Sequence, residues 1–188
     1  MRYLILILIF LASEIAVGQK VALLDNGRLP NHADKSANYL AAKNAIALTE
    51  SGGNVCAKNP TTSASGKYQF MRAWNAFFLR HFGRTWTSAV PKCKAAPAVK
   101  LRMEKYQDDM FDLYYDHHAG PFIAKARRKG WSDVELLALF HRQGEAGAWR
   151  YLRTGHDYAN GKWGNSHVRV HIARVLKNVQ YQLIAGRD

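Results

Sequence analysis

The chain has 188 residues, with 27 lysines and arginines against 14 acidic residues and a formal net charge of +13 at pH 7. That length suits one compact domain with a proper core, and no repeat or low-complexity tract argues for a second. The charge calls for an acidic partner, and the two cysteines give no basis for a cysteine-built metal centre.

In chain order, Arg2 precedes the apolar run Leu4 to Ala12, and small residues follow at Ala16-Val17-Gly18. Residues 1–18 read as a secretory signal cleaved before Gln19. The run is shorter than the ~20 residues that cross a bilayer, which disfavours an uncleaved anchor, and no later segment could span. Cleavage removes one base and one acid, Arg2 and Glu14, so the charge stays at +13. Residues 19–35, rich in Asn, Asp, Gly and Pro, read as an N-terminal arm, and 36–188 as the domain. Periodicity predicts helices over Ser36 to Thr49, Phe70 to His81, Pro97 to His117, Phe122 to Lys129, Asp133 to Arg142, Gly147 to Arg153 and Ser166 to Ile184. Val55 to Tyr68 is too rich in Asn, Pro, Thr, Ser and Gly for a helix and predicts a loop or small hairpin walling a cleft. Ser132 to Glu135 and Pro97 suit helix starts, while Gly120-Pro121 and Lys129-Gly130 mark stops. In the last helix Val168, Ile172, Val175, Leu176, Val179 and Leu183 form a core stripe. The fold class is therefore mainly α.

Glu50 carries the strongest chemical signal. The apolar stretch Ala41 to Leu48 delivers one acid to a helix end, where Gly52, Gly53 and Asn54 stop it. The helix dipole opposes a negative charge there, so a solvated Glu gains nothing structurally. Partial burial at a cleft edge would raise its pKa and let it hold a proton near neutrality, as a general acid must. Nineteen positions later comes Gln69, closing Ser65-Gly66-Lys67-Tyr68-Gln69 ahead of Phe70-Met71. Its amide can hold an acetamido or hydroxyl group, or simply cap a loop.

The pattern Glu50-Ser51-Gly52-Gly53-Asn54, then a Pro/Ser/Gly-rich stretch, then Gly66-x-x-Gln69-Phe70-Met71 resembles the lysozyme-like lytic transglycosylases, enzymes that cut bacterial peptidoglycan. The resemblance implies a lysozyme-like fold with Glu50 as catalytic acid, Ser51 as its neighbour and Gln69 as a sugar ligand. Lys67 and Tyr68 stand where the family has Leu-Met. The family's Ala-Tyr-Asn-Ala-Gly motif has its counterpart in Leu136 to Gly144, with His141-Arg142 in place of Tyr-Asn. On this resemblance Glu50 protonates the bond between N-acetylmuramic acid and N-acetylglucosamine, then acts as base towards the muramyl 6-hydroxyl, giving anhydro-muramyl ends. A water-using muramidase of the same fold is the alternative. The chemistry implies no cofactor. Its partner is the glycan strand of peptidoglycan, and such enzymes also serve secretion, conjugation or phage machines. The protein is then exported, to the periplasm or beyond.

Other residues are weighed on chemistry alone. Tyr68 and Met71 could line the groove, though Met beside Phe is more often core filler. His141 and Gln143 could face it opposite Glu50. Cys56 and Cys93, an even count in an oxidising compartment, favour a disulfide over two separate buried thiols, contributing about 4 kcal/mol. Glu104, Asp108, Asp109, Asp112 and Asp116 read as a solvated acidic face, and Glu145 and Asp157 have no supporting spacing. His167 and His171, one turn apart, read as solvated or capping rather than metal ligands, and His117-His118 adds no third ligand. Of Trp74, Trp86, Trp131, Trp149 and Trp163, most should be buried and some could stack on sugar. A catalytically inert wall-binding module and an exported nucleic-acid-binding protein are the competing classes. Export and the scatter of basic residues argue against nucleic acid.

Overall fold

The computed structural model describes residues 36–127, 130–155 and 164–185. The signal, the arm, Asp157, Trp163 and the predicted helix end at Lys129 lie outside the described residues. The protein is mainly helical, as the periodicity predicts. No helix among the described residues is long and apolar enough to cross a membrane.

Helix α1 spans Ala37–Ser51, where the Ser36 hydroxyl accepts from the Tyr39 amide. Its far end closes on Gly52 and Gly53, whose amides donate to the carbonyls of Leu48 and Ala47. Both glycines have positive φ, the conformation that a left-handed helix stop requires. Glu50 is thus fixed in the last turn. Helix α2 spans Asn75–Phe82, preceded by a 3-10 turn at Arg72–Trp74. The start at Phe70 predicted from the sequence is corrected by five residues, because the Phe70 carbonyl accepts from the Ser65 amide in an antiparallel bridge.

Helix α3, Pro97–Tyr114, runs through a π-helical turn at Tyr115–Ala119 into α4, Gly120–Ala126. Gly120-Pro121 is therefore no stop. A proline is tolerated in the first turn of a helix, where its missing N–H has no intrahelical use, and here the π turn resets the chain just before it. Helix α5, Asp133–Thr154, opens on a full capping box between Ser132 and Glu135. It breaks at Gly144, with φ 66° and ψ 178°, a conformation confined to glycine, so the two predicted helices are the two halves of one kinked element. Helix α6, Gly164–Ala185, buries Val168, Ile172, Val175 and Val179 and packs along α1 and α5.

The core next to the site is aromatic. Phe70 meets Trp86 and Tyr114 at 4.8 Å between ring centroids and Phe78 at 5.3 Å, all edge-on. Such edge-to-face pairs each add about 1 kcal/mol beyond area burial, so the residue after Gln69 is an anchor. Trp86 is fully buried, and Trp74, Trp131 and Trp149 pack against the core from its margin.

Candidate active site

Val55 to Tyr68, which the sequence predicts as a loop or small hairpin, is irregular, with isolated antiparallel bridges between Lys58 and Ser65 and between Ser65 and Phe70. A disulfide joins Cys56 to Cys93, with Cα atoms 5.2 Å apart. The organiser of this segment is Gln107, fully buried on α3. Its carbonyl oxygen accepts from the Lys67 amide at 2.6 Å, and its amide group donates to the carbonyls of Val55 and Ala89, each at 2.8 Å. Gly66 sits hard against it. At φ 74°, an added Cβ would lie 2.8 Å from both the Gln107 oxygen and the Trp86 ring. Only glycine fits there, which gives the glycine of the motif a physical reason.

Lys67 and Tyr68 turn inward. The Tyr68 ring is fully buried and its hydroxyl donates to Asp108 at 2.6 Å. The expectation that Tyr68 binds substrate is therefore corrected: its side chain is core. The acidic face is corrected as well. Lys67 Nζ meets Asp108 at 2.9 Å and Glu104 at 3.1 Å, while Lys43 Nζ bonds Asp112, which also accepts from the Tyr39 hydroxyl at 2.8 Å. Lys43 and Lys67 are both buried, so these acids are counter-ions rather than a solvated stripe.

Gln69 has φ 52°, the only non-glycine in the left-handed region among the described residues. Its side-chain amide donates to the Gly66 carbonyl at 2.9 Å, so that donor caps its own loop. The Ser51 hydroxyl donates to the Lys67 carbonyl at 2.7 Å, tying the α1 terminus to the hairpin. Met71 is half exposed, and Gln143 is half-buried beside the Gly144 kink.

Glu50 itself is mostly buried, its side chain 13% exposed. Its Oε1 lies 3.6 Å from His171 Nε2 and 4.0 Å from His141 Nε2, both beyond hydrogen-bond reach. Burial pushes the carboxyl up to about 7, against the opposing pull of Arg142. The imidazoles move the other way. Burial holds His141 down to about 4 and His171 down to about 3, with neighbouring positive charge adding to the effect. The two close contacts are therefore between neutral imidazoles and a carboxyl that titrates near neutrality, not ion pairs.

The tautomer of His141 follows from its partner. Its Nε2 lies 2.9 Å from the Tyr68 carbonyl, which can only accept, so Nε2 carries the hydrogen. His141 thus stands behind Glu50 with its side chain 4% exposed, locked to the hairpin, and the expectation of a sugar-facing histidine is corrected. His171 is the residue that sequence reasoning misplaced. Set down as solvated or capping, it is buried with Nε2 aimed at Glu50 and unpartnered. Its register was the available signal: position 171 falls between Val168 and Val175 on the buried stripe.

A cavity of about 330 Å³ opens beside Glu50, lined by Thr49, Glu50, Arg142, His167, Val170, His171 and Arg174. Its walls come from α1, α5 and α6. None comes from residues 55–68, which instead reach the site through the Lys67 and Tyr68 carbonyls bonded to Ser51 and His141. No cluster of three or more His, Cys, Asp or Glu suited to a metal occurs among the described residues.

The chain is 41% identical over 68 residues to proteins described as a probable transglycosylase SceD in Staphylococcus aureus strains Newman, Mu3 and USA300. The match spans 35% of this chain and 29% of the length of those relatives. No family model matches the chain, and no solved structure matches it.

Proposed function

We propose that the protein is an exported peptidoglycan lytic transglycosylase of lysozyme-like fold, with Glu50 as its general acid and base. The observation that carries this reading is the state of Glu50. Its carboxyl keeps a proton near neutrality because burial outweighs the pull of Arg142, and it is the one acid among the described residues that line the cavity. The likeness over part of the chain to proteins described as probable transglycosylases points the same way. The disulfide and the apolar N-terminal run fit an exported protein.

One acid suffices for this reaction. Glu50 gives its proton to the glycosidic oxygen as the bond to the muramyl anomeric carbon breaks, and the N-acetylglucosamine side departs as an alcohol. The carboxylate left behind faces an oxocarbenium-like centre. It then takes the proton of the muramyl 6-hydroxyl as that oxygen closes on the anomeric carbon. The 1,6-anhydro ring forms, the proton is back on Glu50, and no water is consumed. Neutral His141 and His171 suit both steps, since a cation at either position would favour the ionised carboxyl and weaken the acid.

Incubation of the protein with purified wall glycan, followed by mass spectrometry, tests the reading. Anhydro-muramyl ends are expected from the wild type, and Glu50→Gln should lower their rate of appearance by about a thousandfold, within the usual range for loss of a general acid. Reducing ends would assign a hydrolase instead. Undiminished cleavage by Glu50→Gln would remove the acid from the mechanism.

A further inference from the structure

We propose that the cavity beside Glu50 is a carboxylate-binding subsite, and that Arg142 and Arg174 there select glycan whose muramyl lactyl group is free of stem peptide. The inference rests on the reading of Glu50 as a glycan-cleaving acid and adds to it the class of strand preferred. Arg174 lies on the α6 face that also carries His167, Val170 and His171 into the cavity, and Arg142 enters from α5. Arg142 lies close enough to Glu50 to pull on its proton, yet among the described residues neither arginine forms an ion pair of the kind that holds the buried lysines on the α3 side to their carboxylates. Arginine's planar fork matches a carboxylate through two parallel hydrogen bonds. The volume, about 330 Å³, is at the small end for a ligand site and suits a single sugar with its substituent.

The substrate offers the matching group in the right place. N-acetylmuramic acid carries its lactyl carboxylate on the same ring whose anomeric bond breaks, so a carboxylate and the scissile bond can share one cavity. In strands that bear peptide the lactyl group is an uncharged amide and continues into a chain that the cavity must let out. The titratable and charged groups around Glu50 among the described residues are Tyr114 on α3, His141 and Arg142 on α5, and His167, His171 and Arg174 on α6. Of these Arg142 is the one that opposes the protonated acid. A carboxylate seated on Arg142 cancels that pull, so the preferred substrate strengthens the acid that cleaves it.

Titration of the full exported chain with N-acetylmuramic acid, muramyl dipeptide and N-acetylglucosamine, followed by NMR at His171 and Val170, tests this without requiring cleavage. N-acetylmuramic acid should bind about tenfold or more tightly than N-acetylglucosamine, the size of one charge-assisted contact. Arg142→Gln with Arg174→Gln should abolish that advantage. Arg80→Gln with Arg102→Gln, which removes equal charge elsewhere on the exposed surface, should keep it. Equal binding of the acidic and neutral sugars, or an advantage insensitive to Arg142 and Arg174, overturns the proposal. So does muramyl dipeptide binding as tightly as N-acetylmuramic acid, which would assign the site to a peptide carboxylate. Selective binding with no wall cleavage would defeat the transglycosylase reading and leave the subsite standing, and cleavage without selectivity would do the reverse.

Discussion

Helix α1 carries buried charge at two places, and they follow opposite rules. At the Lys43 end each charge is answered: Lys43 bonds Asp112 and the Asp108 carbonyl, Lys67 bonds Asp108 and Glu104, and the hydroxyls of Tyr39 and Tyr68 fill remaining acceptors. At the Glu50 end the acid has no hydrogen-bond partner among the described residues, two imidazoles are held neutral beside it, and two arginines line the same cavity. Saturation is what a scaffold needs, because an uncompensated buried charge is expensive. Unsaturation is what chemistry needs, because a group already satisfied has nothing to give a substrate. The paired region holds the hairpin, and the hairpin, through the Tyr68 carbonyl, holds His141 against Glu50.

The sharpest way to break this contrast is to unpair the scaffold. Asp112→Ala leaves Lys43 buried with only the Asp108 carbonyl and strands the Tyr39 hydroxyl. A loss of about 4 kcal/mol is expected in urea unfolding, the size for removing one partner of a buried pair. Lys43→Met with Asp112→Leu should recover most of it. A negligible loss from the single change would show that the network is decoration.

The complementary change should stabilise. Glu50 has a folded pKa of about 7 against an ordinary value of 4.5. Below about pH 4 both folded and unfolded chains hold the proton, and the site has no cost. Between 4.5 and 7 the unfolded chain ionises first, so stability falls as pH rises, and above 7 the full cost of about 3 kcal/mol is present. Glu50→Gln removes it. The variant should be more stable than wild type at pH 8 by up to about 3 kcal/mol, with the gain vanishing at pH 4. A gain independent of pH would mean that the carboxyl is not ionising against burial.

The same division explains what could be read in advance. Glu50 was legible because a helix stop is local: Gly52 and Gly53 announce the left-handed turn, and the apolar run before them announces the helix. The α6 stripe and the Gly144 break were legible for the same reason. The misreadings share another cause, the pairing of residues far apart in the chain. Asp108 and Asp112 look like a solvated face until Lys43 and Lys67 are brought to them across 41 to 69 positions. Tyr68 beside Gln69 reads as a possible groove residue until Asp108 claims its hydroxyl. Gln107 carried no sequence signal of its role. A buried amide declares itself only through the three backbone groups that it satisfies.

The finest test of the unsaturated end concerns charge at position 171. His171 Nε2 is buried and unpartnered, 3.6 Å from the acid, and burial keeps the ring neutral well below physiological pH. If its contribution is a neutral polar contact that leaves the carboxyl protonated, His171→Gln should lower glycan cleavage by less than about tenfold and leave the alkaline limb of the pH profile near 7. His171→Lys would place a cation beside Glu50, favour the carboxylate and move that limb down by about one unit or more. Unequal limbs are the decisive outcome, because loss of shape affects both variants alike and only charge separates them. Should the limb move equally in the two, His171 acts through packing and the neutrality of the pair is incidental.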